Sequence, residues 1–119
     1  VKNRRLINNL TGMSMMATLY VQANNDLNSI YGTLNITLQP SESMEVEYGD
    51  LRNGFLLGLR VKPVPTGVVE AYYFQVKQRG DVVDNWLNNA DAIDITMEYL
   101  HNMDSHLPIE QSLRASKMV

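Results

Sequence analysis

The amino-acid sequence predicts an α+β fold: a five-stranded antiparallel β-meander covered on its apolar face by a long C-terminal amphipathic helix, with an all-β sandwich as the alternative. Three observations lead there. Turn residues punctuate a series of short apolar segments between Met13 and Lys77, and Asn53-Gly54 offers the positive φ values of a two-residue hairpin turn. Beyond them, Val83, Trp86, Ala90, Ile93, Met97 and Leu100 recur in steps of three and four. At 119 residues, 45% of them hydrophobic, the chain suits one globular domain over 1–119 with a single core.

The strands follow from alternation. Turning the chain at Asn53-Gly54 pairs Glu45 with Lys62 and Glu47 with Arg60 on one face, and Val46 with Val61 and Tyr48 with Leu59 on the other. A loop over 39–43 would set Leu38 against Met44 and Ile36 against Val46. A loop around Val64-Pro65-Thr66 would set Leu59 against Ala71 and Leu57 against Tyr73. An Asn- and Asp-rich loop over 23–28 would set Ala17 against Leu34 and Met15 against Ile36. The expected strands are 14–22, 29–38, 44–52, 55–62 and 67–77, and the first, at the sheet edge, is the expected place for strand addition.

Gly80 then breaks the pattern, and Asp81 is placed to cap the long helix. A strand competes with that helix at its end, because Ile93, Ile95, Met97 and Tyr99 also alternate with polar residues. At the start, 1–12 can form two helical turns carrying Leu6, Ile7 and Leu10, closed by Gly12. At the other end, 108–119 reads as a flexible tail or a short helix opened by Pro108.

Composition narrows the chemistry. With no Cys, thiolate metal sites, iron–sulfur clusters and cysteine nucleophiles are excluded. A net charge of -3 is far from the basic profile of proteins that grip phosphate backbones. The apolar run from Met13 to Val21 is interrupted by Ser14 and Thr18 and is too short for a membrane span. No cofactor and no metal site is expected. His101, Asp104 and His106 are the nearest approach to a metal-dependent enzyme, but their spacing suits a solvated helix end better than a ligand set.

Other motifs have structural explanations. Glu42, Glu45 and Glu47 read as a solvated strand face, while Asp50, inward near the hairpin end, is expected to be exposed or to bond a turn amide, with Arg52 on its side able to pair with it. Arg79-Gly80-Asp81 has the letters of an integrin-binding tripeptide, but a turn glycine and a helix cap account for it. Asn9-Leu10-Thr11 and Asn35-Ile36-Thr37 match the N-glycosylation acceptor at about the frequency chance gives. Arg60, Lys62, Lys77 and Arg79 near Tyr72, Tyr73 and Phe74 give the alternative of a small β-domain binding single-stranded nucleic acid.

No motif assigns a reaction. The predicted register gathers Leu51, Leu56, Tyr72 and Phe74 on the outer sheet face, where they are either covered by the N-terminal segment or exposed to a partner. The expectation is therefore a noncatalytic protein-interaction or assembly module, whose partner is another protein or a second copy of the chain.

Overall fold

The computed structural model describes residues 3–24, 26–50, 52–64, 71–103 and 114–115. It is mostly β, with two sheets. In chain order the elements are β1 (Asn3–Asn9), β2 (Met15–Ala23), β3 (Asp26–Leu38), β4 (Ser43–Tyr48), β5 (Leu56–Pro63) and β6 (Tyr72–Gln75). There follow α1 (Val82–Asp84), which continues as a π-helical turn over Asn85–Asn89, then β7 (Ala92–Ile95), α2 (Met97–Met103) and the two-residue β8 (Arg114–Ala115).

The first sheet has the order β4-β1-β7 and the second β6-β5-β2-β3-β8. Ile7, Val46, Tyr48, Ile93 and Ile95 from the first sheet share one core with Met15, Leu19, Leu38, Leu59, Val61 and Phe74 from the second. Trp86, Leu87 and Leu100 join it from the helical segments.

This architecture overturns the single meander. The described part of 1–12 is not helical: Asn3–Asn9 is a strand that alternates Arg5, Ile7 and Asn9 inward with Arg4, Leu6 and Asn8 outward. It lies antiparallel to β4, with Arg5 across from Val46, and parallel to β7, with Ile7 across from Ile93. Val46 is therefore not opposite Val61, which lies between Ala17 and Tyr72. The charges that suggested the hairpin are satisfied elsewhere: Arg4 meets Glu47 at 3.0 Å and Glu45 at 3.6 Å.

Two of the loops that carry the chain between sheets place β4 in the first sheet. After Leu38, a turn with Ser41 at φ 63° delivers β4 to β1; Asn9 donates its N–H to the Glu42 carbonyl and accepts from the Ser41 N–H. After Tyr48, Gly49 takes φ 68°, and a side chain there would collide with the Asn53 carbonyl oxygen. The Asp50 carboxylate accepts from the Arg52 and Asn53 N–H groups and from Asn53 Nδ2, each at 2.9 Å. Those bonds, from Asn53 first and Arg52 second, hold its pKa below the usual carboxylate range. Asn53 is buried rather than at a hairpin tip, and its Oδ1 accepts from the Asn24 N–H at 2.8 Å.

Two of the predicted neighbour relations hold with altered registers. β2 pairs with β3, but with Met15 opposite Leu38 and Ala17 opposite Ile36, an even shift that keeps the apolar faces together. β5 pairs with β6, but with Leu59 opposite Phe74 rather than Ala71. That odd shift exchanges the two faces of β6. β2, expected at the edge, is the centre of its sheet, with β3 and β5 on either side.

The long C-terminal helix is absent among the described residues. Asp81 does cap a helix, accepting from the Asp84 N–H at 2.7 Å, but the helical run ends at Asn89 and Ala90 is extended and exposed. Ile93 and Ile95 face the core from a strand instead, which pairs in parallel with the second edge of β1 and satisfies its backbone groups there. The apolar periodicity is real only in pieces, with Trp86 and Leu87 in the π turn and Leu100 in α2. Of 108–119, only Arg114–Ala115 is described, parallel to Ser29–Ile30 of β3.

Candidate functional site

The predicted apolar patch is not a surface. Leu56 and Phe74 are fully buried and Tyr72 nearly so, while Leu51 lies outside the described residues. The odd register of β6 turns Tyr72 and Phe74 inward, and Phe74 meets Trp86 edge-on with ring centroids 5.1 Å apart. Trp86 stacks in turn on Tyr99 at 4.3 Å. These aromatics form a core cluster under the π turn. Asn88 fastens that turn to β5, donating to the Leu56 carbonyl at 2.9 Å and accepting its N–H at 2.7 Å.

The basic residues are dispersed. Arg60 and Lys62 share the outer face of β5, where Arg60 lies 5.8 Å from the Tyr73 ring and donates to its hydroxyl at 3.3 Å. Lys77 is exposed beyond β6. Arg79 is held at another end: it pairs with the buried Asp84 at 3.0 Å, donates to Gln22 Oε1 at 2.6 Å and stacks 4.7 Å over Phe55. With Tyr72 and Phe74 buried, the aromatic platform expected for bases is reduced to Tyr73.

The tripeptide Arg79-Gly80-Asp81 is likewise engaged. Gly80 has φ 88°, and Asp81 Oδ2 accepts from the Lys77 and Gln78 N–H groups at 2.9 and 3.1 Å. Burial opposes ionisation of Asp81, yet the amides of Asp84, Lys77 and Gln78 together with the Arg79 charge outweigh it and hold its pKa below the carboxylate norm. His101 falls in α2, and Asp104 and His106 lie outside the described residues; among the described residues no group of three His, Cys, Asp or Glu is arranged for a metal ion. No described helix is long and apolar enough to cross a membrane.

The two acceptor sequences differ sharply. Asn9 is completely buried, with Nδ2 donating to the carbonyls of Met13, Gln39 and Leu38 at 2.7, 3.0 and 3.2 Å. Its Oδ1 accepts from the Thr11 N–H and hydroxyl at 3.1 and 2.7 Å. Asn35 is exposed on β3, where it accepts from Thr18 Oγ1 at 2.6 Å.

That strand carries the most distinctive surface. β3 has 13 residues, and no charged residue occurs from Leu27 to Ser41. On its outer edge β8 covers Ser29 and Ile30, and among the described residues nothing pairs with 31–38. A bulge falls at Tyr31, after which Gly32 to Leu38 run in regular register with Val21 to Met15. Thr33, Asn35 and Thr37 point outward and exposed, while Leu34 and Ile36 are half-buried against the core.

The other edges are guarded. β4 carries Glu45 and Glu47, β6 and β7 have four residues each, and Asp94 of β7 accepts from Asn8 Nδ2 at 2.7 Å. Sequence reasoning missed the β3 edge because it placed this strand inside a meander; the signal was its long uncharged stretch. Comparison with protein-family models, curated proteins and solved structures finds no match to the chain.

Proposed function

We propose that this chain is a noncatalytic protein-interaction or assembly module that works by strand addition at the edge of β3 that no described strand covers beyond Ile30. The observation that supports this reading is the contrast between edges. A free strand edge presents backbone N–H and C=O groups to any passing strand, and proteins blunt such edges with charge, proline, bulges or short length. Residues 33–38 of β3 carry no charge, proline or bulge, although Thr, Leu and Ile alternate there. An edge of that kind is a template for a partner strand, with main-chain bonds supplying affinity and alternate side chains supplying selectivity.

The test is retention of proteins from the native source by the wild-type chain, by Thr33→Lys/Thr37→Lys and by the outer-face control Lys62→Glu. Both threonines are exposed, so the lysines protect the edge without entering the core. The expected result is a protein, whether another chain or further copies of this one, retained by wild type and by Lys62→Glu and lost from the double-lysine variant. Equal retention by the double-lysine variant overturns the reading.

A further inference from the structure

We propose that the occupant of the β3 edge is the same edge of a second copy, paired antiparallel about a two-fold axis at Asn35. This rests on the interaction reading above and narrows it to one partner.

The pattern is self-complementary. In an antiparallel pair centred on Asn35, Leu34 of one copy faces Ile36 of the other on the core side of the sheet. Thr33 faces Thr37 and Asn35 faces Asn35 on the outer side, so like faces meet throughout. The two half-buried apolar residues lose their remaining solvent contact against each other, and Thr–Thr pairs are among the favourable cross-strand neighbours. The same operation on β4 about Val46 would press Glu45 against Glu47 of the copy.

Charge therefore points to β3 and away from β4. Among the described residues β8 reaches only Ser29 and Ile30, short of Thr33 to Thr37, and Pro40 stops the pairing on the far side. The interface is isologous and closes at two copies, leaving no repeating edge from which a fibre could grow. Five ladder positions bury less than the ~1,000 Å² of a stable interface, so the dimer belongs to the weak, concentration-dependent class.

The experiment has two parts. Sedimentation of the wild-type chain across a hundredfold concentration series is expected to show the mass rising toward twice the monomer, and Thr33→Lys/Thr37→Lys to remain monomeric. Because the chain has no Cys, single cysteines report the register. Asn35→Cys is expected to form a disulfide dimer under mild oxidation, since facing Cβ atoms lie ~5 Å apart and small adjustments bring them within bonding range. Thr33→Cys alone is expected not to do so, its copies being ~13 Å apart along the strands, while a mixture of Thr33→Cys and Thr37→Cys cross-links as a heterodimer.

A constant monomer mass overturns the proposal, as does cross-linking of Thr33→Cys alone as readily as Asn35→Cys. If the mass stays constant while the double-lysine variant still loses a different protein, the second copy is excluded and the interaction reading survives; if neither effect occurs, both fall.

Discussion

Asn9 offers the most direct test of how the two sheets are joined. It ends β1 in the first sheet, and its amide reaches the loop before β2 and the carbonyls that end β3, so one side chain links three segments. In Asn9→Leu the Gln39 carbonyl keeps the Glu42 N–H at 3.0 Å, and the Met13 carbonyl keeps the Thr11 hydroxyl at 3.1 Å. The Leu38 carbonyl keeps its place opposite Met15 in the β2–β3 ladder, so the group left without a replacement is the Thr11 N–H. At about 1–3 kcal/mol for a group left without its partner, the expected loss is about 1–3 kcal/mol.

Asn9→Asp is the sharper variant. It keeps the shape but turns the donor into a second acceptor facing three carbonyl oxygens, and the expected loss at neutral pH is about 3–5 kcal/mol. The introduced carboxyl has its folded pKa raised above the unfolded value of about 3.9. Its protonated form can donate one hydrogen bond, so the deficit relative to wild type is smallest below that unfolded pKa and grows as pH rises toward the folded pKa. Urea unfolding followed by the fluorescence of Trp86, the single Trp, measures both variants. A deficit in Asn9→Asp below about 1 kcal/mol at pH 7, or one that does not shrink at pH 4, would refute the donor role assigned to Nδ2.

Two further predictions address the core. Burial pushes the pKa of Tyr48 up to about 12, with Arg5 partly opposing it, so the unfolded chain loses this proton first. Stability is expected to fall by on the order of 2 kcal/mol as pH rises from about 10 to 12, and Tyr48→Phe to flatten that fall in unfolding measurements. Phe74→Ala is expected to cost about 3–5 kcal/mol, with a changed Trp86 emission, because the ring is fully buried against Trp86; a cost below about 1 kcal/mol would return Phe74 to the surface.

The parts read best from the sequence were those governed by local periodicity and turn chemistry. The stretches that became β2, β3, β4 and β5, the β2–β3 and β5–β6 neighbour relations and the Asp81 cap were all legible. The Asn53-Gly54 hairpin failed because its supporting evidence was degenerate: Glu45 and Glu47 are matched as well by Arg4 as by Lys62 and Arg60. The expected bond from Asp50 to a turn amide does form, but as an Asx turn beside left-handed Gly49 that redirects the chain after Tyr48 instead of closing a hairpin. The candidate site suffered from a finer error, since a three-residue slip in β6 was enough to move Tyr72 and Phe74 from the outer face to the core.

From composition and alternation alone came the strand-forming segments, the apolar rows and the absence of cysteine chemistry. Only the folded chain decided which segments became neighbours: β1 had two edges to fill, and β4 and 92–95 filled them although one was expected in the other sheet and the other in a helix. The physical reason is that alternation declares which face of a strand is apolar but says nothing about which strand completes its hydrogen bonds. That choice is made by all segments at once, and among the described residues it left β3 beyond Ile30 as the uncharged edge on which the proposed interaction rests.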